Sequence, residues 1–514
     1  MNDIMKLTKL NKWVVSITFI TLITGLNAQE KINDGDKEWF EKEILDNQKL
    51  GGYKGIWWGH ATMKDRPKSS SYGSKKFKYS GPLSFAAPHT VAPMAVYAPE
   101  VNKTFFVYGG DVGPQKRYLL AMVSYYDHDK HLVPRPTIVR DQRGVDDPHD
   151  NPSITIDDEG YIWVFVAGRG RIRPGQIFRS NAPYSIDSFE LIVEREQTYS
   201  QIWQVPQKGF FHLMTMYTNG RELYWETSRD GKDWTTETDK DLKKLAGFGG
   251  HYQVSRVDGN TIGTTFNYHP DGNVDRRTNL YYLQTKDFGE TWTTADGTPV
   301  ELPLKDKVNP ALVIDYEAQG KNAYPIQLLF DKDGSPVILH LTTFGAAPVL
   351  ENRPMPWRIT RWNGEKWDSQ YITVSDHAYD VGSLFINDDK WTLIAPALTG
   401  PQPGWNGGEV GVFETTDPGN PDNDWWQLKR RVTVNSPYNH GYVRRPHNPQ
   451  DPFFAFWSDA DPSEDSVSRI FFTNSRGDKV YMLPYEMEGD FAQPILVDPP
   501  VPMKIEDMQL SNTK

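Results

Sequence analysis

One pattern recurs seven times along this 514-residue chain: a polar or aromatic opening, an alternating strand, a tight turn rich in Asp, Gly or Asn, and a second aromatic strand. The openings lie at His89, His149, Tyr199, His251, Tyr324, Ala378 and His440. They are separated by 60, 50, 52, 73, 54 and 62 residues. Repeats of this size that contain strand, turn and strand are typical of β-propellers, in which each repeat forms one blade. We therefore predict an all-β fold, a seven-bladed β-propeller in a single domain over residues 53–495. A β-sandwich is the alternative, although sandwiches rarely sustain seven such units.

Two turn motifs support the propeller. Residues 228–234 (SRDGKDW) and 285–292 (TKDFGETW) resemble the Asp-box, a turn between the outer strands of sialidase-type propeller blades. The Asp and Gly residues make the turn, and the Trp is expected to pack between blades. These motifs indicate the architecture and do not predict a catalytic or binding function.

The composition excludes several functions. The chain has no cysteine, so disulfides, thiolate metal sites and thiol catalysis are ruled out. Its net charge of −11 argues against a general nucleic-acid binder, so an anionic ligand would need a local cationic pocket. We expect no nucleic-acid or membrane partner and a monomeric state.

The N-terminus reads as a secretory signal. Lys6, Lys9 and Lys12 precede an apolar run of 14 residues, WVVSITFITLITGL, which is too short to span a bilayer comfortably. Cleavage is expected after Ala28, which makes residues 1–28 a signal peptide and the protein periplasmic or secreted; an uncleaved anchor is the alternative. Residues 29–52 would form an N-terminal segment and residues 496–514 a C-terminal tail.

The geometry of the repeat selects candidate site residues. Two antiparallel neighbours place the start of the first strand and the end of the second at the same end of the hairpin. If the first strand of each blade is innermost, all seven starts converge on one mouth of the central channel. Strand starts would bring together His89, His149, Tyr199, His251, Tyr252, Tyr324, Tyr379 and His440. Second-strand ends would add Arg169, Tyr217, Tyr268 and His269, with Arg221 close behind Tyr217.

A mouth that carries His, Tyr and Arg with few carboxylates favours one reaction class. Hydrolysis of a glycoside usually needs two carboxyl groups that flank the bond. In β-elimination, by contrast, a cation neutralises a uronate carboxylate, a His or Tyr base removes the C5 proton, and a Tyr or His protonates the oxygen that leaves C4. This reaction needs no cofactor.

Each candidate also has a purely structural alternative. His149 would cap a strand entrance, Arg169 would pair with nearby aspartates, and the tyrosines would be ordinary aromatics between blades. His251 and His269 are possible metal ligands, but scattered histidines do not establish a metal site. A small basic cluster, Arg444, Arg445 and His447, is expected to be solvated rather than catalytic.

Four segments resemble the BNR-4 family of secreted seven-bladed propellers: GGYKGIWWG, KYSGPLSF, AVYAPEVNKTFFVYGG and DDPHDNPSITIDDEGYIWVFVAGRG. The resemblance covers roughly residues 50–490, and HDNP and TYSQ are its most specific parts. Characterised relatives include ulvan lyases, an α-L-rhamnosidase and an oligosaccharide dehydratase that acts on ulvan fragments. The resemblance implies chemistry on polysaccharides rich in rhamnose and uronic acid.

The resemblance to the lyases also implies roles for individual residues. It puts the catalytic His on His149 and catalytic tyrosines on Tyr199 and Tyr252. The lyases have a second His where this chain has Arg169, and an Arg about where this chain has Tyr217. The charge that neutralises the carboxylate would therefore fall on Arg169 or Arg221, and Tyr217, His251 and His269 would complete the substrate-binding set.

We therefore expect a carbon–oxygen lyase that acts on a uronic acid of an anionic, ulvan-type oligosaccharide or polysaccharide. The acidic surface favours a dehydratase that removes water from the non-reducing-end uronate, and an ulvan lyase that cleaves the chain is the close variant. An α-L-rhamnosidase-like exo-glycosidase and a non-catalytic glycan-binding propeller are the alternatives.

Overall fold

The computed structural model describes residues 44–56, 83, 92–112, 118–143, 145, 148–170, 173–217, 220–235, 243–274, 276–345, 354–387, 390–416, 418, 426–462 and 466–497. The predicted signal peptide and His89 lie outside these residues. From Leu45 onward the described residues form one compact unit. No helix in the described ranges has the length and apolar character needed to cross a membrane.

Seven consecutive antiparallel sheets make up the described chain, as predicted, and each is one blade of a β-propeller. Blade 1 contains β1 (Ala95–Ala98), β2 (Lys103–Gly110), β3 (Tyr118–Asp127) and β5 (Thr137–Arg143), with the short β4 (Val133–Pro134) before β5. Blade 2 contains β6 (Pro152–Ile156), β7 (Ile162–Val166), β8 (Gly175–Ser180) and β9 (Phe189–Arg195). Blade 3 contains β10 (Thr198–Val205), β11 (Gly209–Met216), β12 (Glu222–Ser228) and β13 (Lys243–Ala246). Blade 4 contains β14 (Gln253–Asp258), β15 (Thr261–Tyr268), β16 (Thr278–Thr285) and β17 (Leu312–Ile314).

The remaining blades follow the same order. Blade 5 contains β18 (Asn322–Phe330), β19 (Pro336–Thr343), β20 (Met355–Trp362) and β21 (Trp367–Ser375). Blade 6 contains β22 (Ser383–Asn387), β23 (Lys390–Leu398), β24 (Glu409–Thr415) and β25 (Gln427–Arg431). Blade 7 contains β26 (Asn439–Arg444), β27 (Ala455–Ala460), β28 (Ile470–Thr473), β29 (Val480–Met482) and β31 (Ile495–Val497), and β30 (Phe491–Ala492) pairs with β4. Three short 3-10 helices are also present, Pro99–Val101, Pro148–Asp150 and Pro270–Gly272.

The first strand of each blade faces the central channel. The main chains near these strands hydrogen-bond directly from blade to blade: Ile202 N–H donates to the Ala92 carbonyl at 3.0 Å, and Val443 N–H donates to the Val381 carbonyl at 3.0 Å. The strand starts therefore meet at one mouth of the channel, which confirms the geometric premise of the sequence prediction.

Residues from both ends of the described chain close the ring. Gly55 forms bridges to Gly110 of blade 1 and Ser468 of blade 7. The Tyr53 hydroxyl lies 2.6 Å from both the Ser124 hydroxyl and the Pro134 carbonyl oxygen. Pairing of β30 with β4 adds a second connection between the last strands and the first blade.

Apolar side chains pack between neighbouring blades and form the core. Trp203, Leu213 and Trp225 of blade 3 pack in one cluster with Phe266 and Tyr281 of blade 4. Full burial of each large apolar side chain contributes about 1.5–3 kcal/mol. The aromatic content of the chain is thus used mainly at the surfaces where blades meet.

Both predicted Asp-boxes form the expected turns between the third and fourth strands of their blades. Asp230 accepts hydrogen bonds from the main-chain N–H groups of Lys232 and Asp233, both at 2.9 Å. Trp234 donates from Nε1 to the Gly231 carbonyl at 2.9 Å and packs with Trp163 of blade 2. The tryptophan therefore lies between blades, as predicted.

Gly289 of the second Asp-box is expected to tolerate no side chain. Its φ is +92°, and an added Cβ would lie 2.3 Å from the ring of Trp225. Gly289→Ala should therefore lower the free energy of unfolding by about 1–3 kcal/mol more than Gly297→Ala. Gly297, in the same blade, is the matched control because its φ is +86° and no atom lies within 4 Å of the added Cβ. Urea unfolding of both variants would measure the difference, and equal losses would contradict the predicted clash.

Candidate active site

His149 is presented by the short 3-10 helix Pro148–Asp150, immediately before β6. The next residue, Asp150, is buried and receives two hydrogen bonds from Arg173, Nε to Oδ2 at 2.5 Å and Nη2 to Oδ1 at 2.8 Å. Charge-assisted paired bonds of this kind fix geometry strongly. They hold His149 so that its ring centroid lies 5.6 Å from that of Tyr199.

Tyr199 occupies a strained position in β10. Its φ is +58°, and the pairing of β10 with β11 is interrupted by a bulge between Thr198 and Gln201. A bulky residue in the left-handed region is rare and costs on the order of 1–3 kcal/mol, and such strain clusters at functional sites. The bulge turns the buried side chain toward the mouth, where its hydroxyl lies 3.1 Å from that of Tyr217.

Tyr252 lies at the start of β14, and its main chain is fixed by Asn267. Its N–H donates to Asn267 Oδ1 at 2.9 Å, and Asn267 Nδ2 donates to the Ala323 carbonyl at 3.1 Å. The Tyr252 ring meets the Tyr199 ring edge to face, with 5.4 Å between centroids. The two tyrosines that the sequence marked as catalytic are therefore neighbours, although they belong to different blades.

Arg169 and Arg221 lie beside Tyr217. Their guanidinium carbons are 5.5 and 5.3 Å from the centre of the Tyr217 ring, and Arg221 Nε donates to the Tyr217 hydroxyl at 3.2 Å. Contacts of this type attract each cation to the ring face. All three side chains are partly exposed, so this part of the cluster combines held positive charge with access to solvent.

The sequence-based prediction missed Arg277, which follows the loop after Pro270–Gly272. Its guanidinium carbon lies 4.8, 5.3 and 4.9 Å from the ring centres of Tyr252, Tyr324 and Tyr379. Nη2 also donates to the Tyr379 hydroxyl at 2.7 Å. Arg277 precedes the third strand of its blade, which starts at the same end as the first. The sequence analysis considered only the starts of first strands and the ends of second strands. Including the starts of third strands would have identified Arg277 as a candidate.

The two histidines of blade 4 are buried and neutral. His251 donates from Nδ1 to the Asn267 carbonyl at 2.8 Å, and burial lowers its pKa to about 4. His269 packs against Tyr252, with ring centroids 4.6 Å apart, and burial together with Arg277, His251 and Arg221 holds its pKa well below the usual value. Neither His269 nitrogen has a hydrogen-bond partner among the described residues. Within these ranges no three His, Cys, Asp or Glu side chains form a group suited to a metal ion.

Seven of the eight predicted site residues form one connected cluster, and His251 lies beside it against Phe248. His440 begins β26 as expected but does not contact this cluster. It accepts a hydrogen bond at Nδ1 from Trp457 Nε1 at 2.8 Å, and burial and Arg469 lower its pKa to about 3. A strand start at the mouth is therefore not sufficient to make a residue part of the site.

The environment pushes the pKa values of the two central tyrosines in opposite directions. Burial, Tyr217 and Tyr252 raise the pKa of Tyr199 well above its usual value, despite Arg169 and Arg221. Burial also acts to raise the pKa of Tyr252, but Arg221, Arg277, a hydrogen bond with Tyr199, and Arg169 outweigh it and lower that pKa. One tyrosine is thus disposed to keep its proton and its neighbour to lose it.

Comparison with known proteins agrees with this fold. Residues 120–374 match the family BNR_4, described as "BNR repeat-containing family member", whereas no curated protein matches the chain. A polysaccharide lyase PL25 ulvan lyase bound to -[GlcA(1-4)Rha3S]- superposes with a TM-score of 0.63 at 14% sequence identity, covering 90% of this chain and 99% of that chain. The polysaccharide lyase Uly1 gives a TM-score of 0.57 at 11% identity, covering 87% and 98%. At these identities the similarity concerns the fold. Just under half of the chain, residues 120–374, is therefore similar to the BNR repeat-containing proteins that this family model describes.

Proposed function

We propose that this protein is a carbon–oxygen lyase that acts by β-elimination on a uronic acid in ulvan-type saccharides. The observation that carries the proposal is the pair Tyr252 and Tyr199, adjacent tyrosines whose pKa values are displaced in opposite directions. Pairs of titratable groups that are separated in this way supply the base and the acid of a proton-transfer reaction. The similarity of fold to ulvan lyases, one of them bound to -[GlcA(1-4)Rha3S]-, supports the choice of substrate class.

Arg221 and Arg169 suit the substrate carboxylate. Both are partly exposed and held against Tyr217, and a guanidinium matches a carboxylate with two parallel hydrogen bonds. Neutralising the carboxylate makes the proton on the adjacent C5 more acidic and stabilises the charge that develops in the transition state.

The proton transfers then balance within the tyrosine pair. The Tyr252 phenolate removes the C5 proton, the C5–H electron pair forms the C4–C5 double bond, and the C4–O bond breaks. Tyr199 gives its proton to the departing oxygen. The hydrogen bond between the two tyrosines offers a path for the proton to return from Tyr252 to Tyr199 after release of product. His149 packs on Tyr199, with 5.6 Å between ring centroids, and so lies beside the proposed acid.

A pocket beside the mouth favours a second sugar as the leaving group. Arg276, Lys321 and Phe344 contribute to its lining, and Phe344 is 56% exposed with Lys321 Nζ 5.6 Å from its ring centre. Sugar rings stack on exposed aromatic faces. Glu317 also lines the pocket and pairs with Lys307 at 2.7 Å, so Arg276 and Lys321 are the cations that would attract an acidic or sulfated neighbour. This pocket supports cleavage of a chain, whereas the acidic composition favoured elimination of water.

Incubation of the purified protein with ulvan polymer and with defined ulvan oligomers tests the proposal. We expect ultraviolet absorbance from the new conjugated double bond, together with shorter products by mass spectrometry. Absorbance with loss of one water and no shortening would identify a dehydratase. Release of a saturated sugar without absorbance would contradict β-elimination and indicate a glycosidase, and binding without any product would indicate a glycan-binding module.

A further inference from the structure

Positive charge also gathers toward the opposite end of the central channel. Arg256 lies on β14 four residues beyond Tyr252, which is about 13 Å along an extended strand. Arg445 directly follows the end of β26. Arg256, Arg444 and Arg445 line a cavity in the channel together with Trp203, Gln327 and Ser383. This cavity is therefore separate from the tyrosine cluster.

The basic residues here were expected to be solvated, and that expectation is wrong for Arg444, whereas Arg445 and His447 are partly exposed. Arg444 is 4% exposed and donates twice to the Leu83 carbonyl, from Nε at 3.2 Å and from Nη2 at 2.8 Å. Arg445 Nε and His447 Nδ1 are buried. The reason is topological, because β26 is an inner strand and its end points into the channel rather than to the surface.

In the part of the chain that the structure describes, Arg256 and Arg445 have no carboxylate partner at ion-pair distance. Arg445 Nη1 makes one long hydrogen bond of 3.4 Å to the Leu384 carbonyl, and its Nε has no partner in the described part of the chain. Arg256 lies over the ring of Trp203 at 5.6 Å, and the nearest acidic influence on it is Asp258, which is exposed. Two like charges thus line one cavity, and both side chains are partly exposed.

The two neighbouring positive charges lower the pKa values of nearby basic groups. Burial and Arg256 hold the pKa of Arg445 well below its usual value. Burial, Arg256 and Arg445 do the same to the pKa of His447, whose ring lies 5.6 Å from that of Trp203. Burial of unpaired charge is costly, and proteins usually offset it with a counter-ion or a hydrogen-bonded partner. His447 stays neutral, so the charge remains on the two arginines.

We propose that Arg256 and Arg445 bind a small inorganic oxyanion, sulfate or phosphate, in this channel cavity. Guanidinium groups match the oxygens of such ions with paired, charge-assisted hydrogen bonds. Ile326 and Leu328 in the cavity wall lower the local dielectric and strengthen the attraction. An ion at this point would connect blade 4 through Arg256 with blade 7 through Arg445, and would act as a structural tie across the ring.

Thermal unfolding of the purified full chain tests this site without reference to catalysis. After dialysis into buffer free of sulfate and phosphate, each salt is titrated against sodium chloride at matched ionic strength. We expect Tm to rise saturably with sulfate or phosphate, because a ligand that binds only the folded state stabilises it by mass action. Arg445→Gln should lose the saturable rise and keep only the gradual stabilisation that sulfate and phosphate give any protein.

Two comparisons make the result decisive. Without the anion, Arg445→Gln should be at least as stable as the parent because a like-charge contact has been removed. Arg476→Gln is the matched control, since Arg476 is 71% exposed and pairs with Asp478 at 3.2 Å, and it should keep the saturable rise. The proposal would be overturned if the Tm of the parent rose without saturation and to the same extent as that of Arg445→Gln. It would also be overturned if chloride gave the parent the same saturable rise in Tm as sulfate or phosphate.

A second variant covers the case in which Arg445→Gln does not fold. Isothermal titration of sodium sulfate into the parent should give saturable heat, and Arg256→Gln should bind at least tenfold more weakly. The absence of saturable heat with the parent for both sulfate and phosphate would refute the site. Neither measurement uses ulvan. A negative result would therefore refute the anion site without affecting the proposed lyase activity, and a protein without lyase activity could still bind the anion.

Discussion

Tyr252→Phe should abolish β-elimination while the propeller stays folded. The substitution removes the phenolic oxygen that we assign as the base, and loss of general acid–base catalysis typically costs about 10²–10⁴-fold in rate. The ring that packs on His269 and Tyr199 is retained, so the effect should fall on kcat far more than on stability. Initial rates from the absorbance of the unsaturated product measure it, with circular dichroism as the check on folding.

Tyr282→Phe is the matched control for this experiment. Tyr282 is buried in the same blade, and its hydroxyl donates to Gln284 at 2.8 Å, far from the proposed chemistry. Its loss should cost about 1 kcal/mol of stability and leave kcat unchanged. If Tyr252→Phe kept more than a tenth of the parent rate, Tyr252 would not be the base.

The second large effect concerns pH and Arg277. Because Tyr252 acts as phenolate, kcat should rise about tenfold per pH unit until the pKa of Tyr252, which lies below the usual value of 10. Tyr199 must keep its proton, and its raised pKa puts the falling limb at still higher pH. We therefore expect an alkaline optimum bounded by these two tyrosines.

Arg277→Gln should move the rising limb toward higher pH. It removes a positive charge 4.8 Å from the Tyr252 ring, which raises the pKa of that phenol and reduces the phenolate fraction at neutral pH. If the limb moves by one pH unit, the rate at a fixed pH below it should fall about tenfold. The complete kcat–pH profile distinguishes this effect from a general loss of activity.

Two further variants define the role of Arg277. Arg277→Lys keeps the charge and should bring the limb part of the way back toward the parent position. Arg476→Gln removes an exposed arginine outside the site that pairs with Asp478 at 3.2 Å, and its limb should stay close to that of the parent. Coincident profiles for the parent and Arg277→Gln would show that Arg277 does not tune Tyr252.

The fold could be predicted because its signal is local and repeated. Alternation along strands, turn residues and a spacing of 50–73 residues were enough for seven blades and for the inner position of each first strand. The same logic brought His149, Tyr199 and Tyr252 to one mouth. Local pattern specifies a hairpin, and closure of the ring then specifies which strand starts meet.

The details that decide the chemistry depend on distances between blades, which sequence spacing does not carry. His440 starts its strand as Tyr252 does, but Trp457 binds it within its own blade. Arg277 acts on a tyrosine of another strand, and the pKa difference between Tyr199 and Tyr252 arises from arginines of blades 2, 3 and 4. Arg444 was expected to be solvated because nothing in its neighbours along the chain shows that its side chain is buried.

The closure of the ring by Gly55, β4 and β30 has a consequence for biosynthesis. Blade 1 meets its final partners only when β28 to β30 have been made, so it leaves the ribosome with an unprotected edge and waits for almost the whole polypeptide. The tyrosine cluster, in contrast, comes from three consecutive blades. All residues of the reactive centre are therefore synthesised well before the ring can close.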